Sequence, residues 1–204
     1  MGTLEFQEVL ALARHEVGHY VVNRCLGFSP GDIKIEIKGP SQHYADTTIW
    51  LPLHDGYCDV DVNEPLASAA DVKGWLDRRI QALLAGALAQ SLEGDQPNCM
   101  LAGDILFKAN GADDHKFIRA FVNLIWNIES TEMRSTDERK DEMQSIFARN
   151  WDKAFKLVHA EAAVIHEFAE IVASHARCHS EPMKKKTIEQ LGVIKRRFGP
   201  TDLS

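Results

Sequence analysis

The chain has 204 residues, 45% of them apolar and 26% charged, which is about one globular domain and excludes a collagen, a disulfide scaffold or a disordered segment. Its 23 basic and 30 acidic residues leave a net charge of −7, which argues against a nucleic-acid or anionic-membrane surface. An acidic start without a basic n-region, and no apolar run near the ~20 residues that span a bilayer, predict a cytoplasmic protein with no membrane segment.

From Leu4 to Cys25 apolar residues recur every three or four positions (Val9, Leu12, Ala13, Val17, Val21, Val22), the period of a helix with one buried face. Gly27 and a Ser29-Pro30-Gly31 turn are expected to end it. Ile33, Ile35 and Ile37 then alternate with Lys34, Glu36 and Lys38, the period-two pattern of a half-buried strand closed by Gly39-Pro40. Thr47 to Leu51 is β-branched and aromatic and predicts a second, antiparallel strand ending at Pro52. Residues 54–66, rich in Asp, predict an exposed acidic loop.

A second helix is expected from Ser68 through Leu92, stopped by Gly94-Asp95-Gln96-Pro97. A short segment from Met100 to Lys108 leads to the Asn110-Gly111 turn. A further helix carries Phe117, Ile118, Phe121, Leu124, Ile125 and Ile128. Ser135 with Glu138 three positions on fits a capping box and opens a long helical region, with room for a break, to about Arg177. Pro182 separates it from a last basic amphipathic helix around Ile188, Leu191 and Ile194. The fold class this predicts is mainly α with a small inserted β-sheet, as one domain over residues 1–204: a metal-site half over 1–130 and a C-terminal helical region over 131–204.

The first helix contains His15-Glu16-Val17-Gly18-His19. Histidines at i and i+4 share a helix face, so both imidazoles can reach one Zn²⁺ at ~2.0–2.1 Å. The glutamate after the first histidine projects elsewhere, where it can take a proton from water at the metal instead of ligating. Such a site needs a third protein ligand. Asp114 shares a helical stripe with Ile118, Phe121 and Ile125, and a carboxylate heading an apolar face wants a cation. Asp113 heads the adjoining stripe with Phe117 and Leu124, so periodicity does not separate the two, although a short acid at a helix start also serves as a cap.

The string His15-Glu16-Val17-Gly18-His19, followed by Leu84-Ala85-Gly86-Ala87-Leu88-Ala89-Gln90 and by Gly111-Ala112-Asp113-Asp114, resembles the zinc peptidase domain of FtsH-type membrane AAA proteases. The resemblance extends over most of the chain. It implies His15, His19 and Asp114 as zinc ligands and Glu16 as the catalytic base. Two departures stand out. The spacing from Gly111-Ala112 to Asp114 is one residue shorter than in that family, which keeps Asp113 as an alternative ligand, and Gln90 stands where the family usually has Glu. The length leaves no room for an ATPase module or membrane anchor, so the expectation is a peptidase-like domain that stands alone, with a separate partner as one way of delivering substrate.

Weaker signals are His175, Cys178 and His179, an H-x-x-C-H string without a second ligand cluster; His159 and His166, seven apart on a helix face and read as packing or surface residues; and the basic run Lys184-Lys185-Lys186 with Lys195-Arg196-Arg197, read as a solvated face. Cys25, Cys58, Cys99 and Cys178 lie far apart and predict reduced thiols in or near the core. The function expected is a zinc-dependent peptidase acting on unfolded or flexible polypeptides, which pair with an open strand edge beside the metal helix. A binding or regulatory protein that keeps the fold, and a hydrolase of small amides, are the alternatives.

Overall fold

The computed structural model describes residues 6–37, 54–61, 65–108, 111–130, 135–179 and 181–199. The elements, in chain order, are α1 (Phe6–Cys25), β1 (Ser29–Ile37), β2 (His54–Asp61), α2 (Ala69–Gln90), the two-residue strands β3 (Leu92–Glu93) and β4 (Gln96–Pro97), α3 (Cys99–Lys108), α4 (Ala112–Glu129), α5 (Thr136–Ala160), α6 (Ala162–Cys178), α7 (Lys185–Ile188) and α8 (Gly192–Phe198). The protein is thus mainly α with a small inserted sheet. No helix among the described residues is long and apolar enough to cross a membrane.

Every apolar position expected to face inward from Val9 to Val22 is buried. α1 ends in a Schellman arrangement: the Phe28 amide donates to the Asn23 carbonyl at 2.9 Å and the Gly27 amide to Arg24 at 3.2 Å, with Gly27 at φ +83°, where a residue with a Cβ is strained. This tight exit moves the strand start forward. Ser29-Pro30-Gly31, expected as a turn, is the beginning of β1, and the pairing register is irregular between Pro30 and Ile33, where a missing proline N–H is tolerated.

β2 lies where the sequence predicts an acidic loop. It pairs antiparallel with β1, with Ile33 opposite Cys58 and Ile35 opposite Gly56. Gly56, Cys58 and Val60 alternate with Tyr57, Asp59 and Asp61, a period-two pattern obscured by its aspartates. The Thr47 to Leu51 strand lies outside the described residues. On the side of β1 away from β2, Ile33 exchanges both backbone hydrogen bonds with Met183, at 3.0 and 2.8 Å.

The remaining boundaries follow their local chemistry. The Ser68 side chain caps α2 by accepting from the Asp71 amide. The Ser135–Glu138 capping box of α5 is complete, the Ser135 amide donating to Glu138 Oε2 at 3.0 Å. The long C-terminal helical region breaks at Glu161 into α5 and α6, and the last basic helix is two short ones. The Arg197 guanidinium bonds both Glu161 carboxylate oxygens, and Arg196 bonds Glu167 at 2.5 and 2.7 Å; Lys184 meets Asp32 at 3.0 Å. Much of the basic C-terminal charge is therefore balanced by acids of the chain itself.

A single buried apolar cluster draws residues from α1 through α8. α1 packs tightly on α2 at Gly18, where a Cβ would stand 2.5 Å from the Ala89 Cβ and 2.6 Å from the Ala85 carbonyl oxygen. A backbone oxygen has little room to retreat, so Gly18→Val is expected to cost about 3 kcal/mol, the upper end of overpacking penalties. Denaturant unfolding checks this.

Candidate metal centre

The close α1–α2 packing brings the histidine face of α1 against a stripe of α2. His15, Glu16 and His19 are 4%, 7% and 8% exposed, unusually deep for three polar residues in a row of five. His15 Nδ1 donates to Gln90 Oε1 at 3.0 Å, and His19 Nδ1 donates to the Ala82 carbonyl at 2.8 Å. With each Nδ1 carrying its proton to an acceptor, each Nε2 presents a lone pair, the neutral form that ligates metal.

The third group is Asp114, in the first turn of α4. Its Oδ2 lies 3.1 Å from His15 Nε2 and 3.2 Å from His19 Nε2. Asp113, the alternative, turns to solvent: its side chain is 83% exposed and meets the Lys116 ammonium at 2.6 Å. Asp113 does not cap α4 either, since Gly111 occupies that place without a side-chain bond. The neighbouring residues explain the choice. Ile118 and Ile125, on the Asp114 stripe, are buried, whereas Phe117 and Leu124, on the Asp113 stripe, are exposed.

Two imidazole lone pairs and a carboxylate oxygen facing one another at these distances repel unless a cation lies among them. A tetrahedral ion with ~2.0–2.1 Å bonds separates its ligand atoms by about 3.3 Å, close to the 3.1 and 3.2 Å between Asp114 Oδ2 and the two histidines, and all three ligand atoms lie within 4.8 Å of one another. Among the described residues, His15, His19 and Asp114 are the one group of three such side chains whose ligand atoms converge. The residues present therefore fit a zinc ion. Gly86 lies against the same point: a Cβ there would fall 2.4 Å from His19 Nε2 and 2.6 Å from His15 Nε2. Glu16, buried alongside, contributes negative potential at His19.

Without a metal the cluster retains a proton instead. Burial acts to lower the His19 pKa, but the charge and hydrogen bond of Asp114, the charge of Glu16 and the Ala82 carbonyl outweigh it and push it up to about 9. Burial acts to raise the Asp114 pKa, and the two histidines more than reverse this, holding it well below the usual carboxylate range. The signs give a window. The His19 contribution to metal-free stability is complete below its usual 6.5 and is lost as pH rises through about 9, while that of Asp114 is present above 3.8 and lost as pH falls. A metal must displace the His19 proton, so zinc affinity is expected to rise about tenfold per pH unit between roughly pH 6.5 and 9. Competition titrations across that range check it.

The other sequence signals lead elsewhere. His159 and His166 sit on different helices, α5 and α6, and donate to the Asp95 and Gly94 carbonyls of the β3–β4 turn at 2.7 and 2.8 Å. His175, Cys178 and His179 end α6, where His175 Nε2 donates to the Glu181 carbonyl; their ligand atoms do not converge as those of the first cluster do. Cys99 and Cys178 are exposed, not in the core, and Cys25 is partly buried; burial and Glu161 push the Cys25 thiol up to about 11. The motif reading named Gly86 and Gln90 only through the family resemblance; what it did not place is their position, with Ala82, against the two histidines. The available signal was Gly86, a glycine inside a helix where alanine is about 1 kcal/mol better. No protein-family model matches the chain, and no curated protein does.

Proposed function

We propose that the protein is a zinc-dependent peptidase of the FtsH type, with His15, His19 and Asp114 as ligands and Glu16 as the base, cleaving unfolded or flexible polypeptides. The observation that carries the reading is the convergence of the two Nε2 lone pairs and Asp114 Oδ2 beside a buried glutamate. Zinc, when bound, supplies a Lewis acid that polarises the scissile carbonyl and makes water easier to deprotonate. The chain's own residues do the rest. Nδ1 hydrogen bonds hold both imidazoles in the ligating form. Glu16 accepts the proton of the attacking water at its carboxylate and returns it to the departing amine, the role that a base next to the first histidine is placed for. Burial keeps bulk water from screening these charges.

Among the described residues, β1 offers an extended substrate a strand edge on the side away from β2. Ile33 is already paired with Met183, but by the antiparallel alternation Ile35 and Ile37 direct their backbone groups to that same side, where a peptide can add. A cytoplasmic place and a separate substrate-delivering partner belong to the same proposal. The test is cleavage of an unfolded protein such as casein. The reading expects hydrolysis that stops with a chelator and returns with zinc; zinc-loaded protein that cleaves neither casein nor short peptides would sink it.

A further inference from the structure

We propose that Gln90 is a positioning residue that fixes His15 as the Nδ1–H form and does so without adding charge to the site, an inference that rests on the zinc reading above. Ala82, Gly86 and Gln90 are four residues apart, so they lie one above another on a helix face, and that face runs antiparallel to His15 and His19. At one end His19 Nδ1 donates to the Ala82 carbonyl; at the other His15 Nδ1 donates to Gln90 Oε1. Gly86, between them, leaves space for both rings.

The two anchors differ in one respect. A backbone carbonyl is present whatever the side chain, whereas Gln90 is the only side chain that α2 supplies to the imidazole Nδ1 atoms. Without it His15 is free to move its proton to Nε2, which removes the lone pair a metal needs.

The amide, as opposed to a carboxylate, also suits the position. Gln90 is the last residue of α2, where the carbonyl ends of the helix already carry partial negative charge and an acid is unfavourable. A divalent ion with Asp114 and Glu16 makes a site of zero net charge, because 2 − 1 − 1 = 0. A carboxylate at position 90 would bury a further negative charge beside it, which is costly away from water. The amide oxygen accepts the Nδ1–H bond without either cost.

The test compares Gln90→Met, which keeps length and volume but has no acceptor, with Gln90→Glu, which keeps the acceptor. The readouts are cobalt(II) affinity and the nitrogen-15 NMR signature of the His15 ring in metal-free protein. Neither uses hydrolysis, so failure of the peptidase reading would show in the casein assay and failure of this inference here. The expected result is cobalt binding 10 to 100-fold weaker in Gln90→Met, with His15 shifting toward Nε2–H and the melting temperature unchanged, and affinity at least equal to wild type in Gln90→Glu. Gln90→Met protein that binds cobalt as tightly as wild type would overturn it. So would a wild-type spectrum in which His15 Nδ1 bears no proton, a reading that needs no variant to fold.

Discussion

Glu16→Gln protein is expected to carry as much zinc per chain as the wild type and to cleave polypeptide 10² to 10⁴-fold more slowly, the usual cost of losing a positioned proton carrier. The substitution is isosteric and removes charge alone. The metal should be retained because Glu16 is not among the three converging groups, and the ligands keep their own anchors, Gln90 Oε1 on His15 and the Ala82 carbonyl on His19. Folding should not suffer, since a neutral amide is easier to bury than a carboxylate at a residue 7% exposed. The loss should fall on kcat more than on KM, since proton transfer belongs to the transition state. Steady-state kinetics on a fluorogenic peptide, with metal analysis of the same sample, separates this from simple loss of zinc.

Gly86→Ala is expected to have the opposite profile: a folded, equally helical protein whose zinc affinity falls by more than about 100-fold. Alanine inside a helix is about 1 kcal/mol better than glycine, so α2 itself gains. The added methyl, however, would stand 2.4 to 2.6 Å from His19 Nε2, His19 Cε1 and His15 Nε2, inside any permitted contact. Both rings must turn away from Asp114, and each loses its Nδ1 bond in doing so. Losing one outer partner of a metal ligand typically costs 10 to 100-fold; displacing both ligands exceeds that. Circular dichroism and a zinc competition titration together read the two halves of the expectation. The contrast with Gly18→Val is informative, because Gly18 meets the α2 backbone and its substitution should damage stability.

How much of this was legible in the sequence depends on range. Features set within one turn of helix were readable: the shared His15–His19 face, the Ser135–Glu138 box and the apolar stripe of α1 are short-range patterns, and the structure reproduces each. The choice between Asp113 and Asp114 was not, because neighbouring helix positions differ by only about 100° and both stripes carry apolar residues. What decides it is that Phe117 and Leu124 stay exposed while Ile118 and Ile125 are buried, a matter of where α4 meets α2. β2 was read as an acidic loop for a related reason: its strand pattern is diluted by Asp55, Asp59 and Asp61, and it is pairing with β1 that supports it. The outer layer of the candidate metal centre lay furthest from reach. That Ala82 and Gln90 meet His19 and His15 depends on the offset between two antiparallel helices, and that offset is set where Gly18 lets α1 settle against Ala85 and Ala89.

Whether His15, His19 and Asp114 hold a zinc ion is read most directly from zinc per chain in protein purified without added metal, for wild type, Asp113→Asn and Asp114→Asn. One zinc per chain is expected in wild type and in Asp113→Asn, since the Asp113 side chain points to solvent, and near zero in Asp114→Asn. Folded wild-type protein free of metal, or zinc lost with Asp113 and kept without Asp114, would contradict that ligand set.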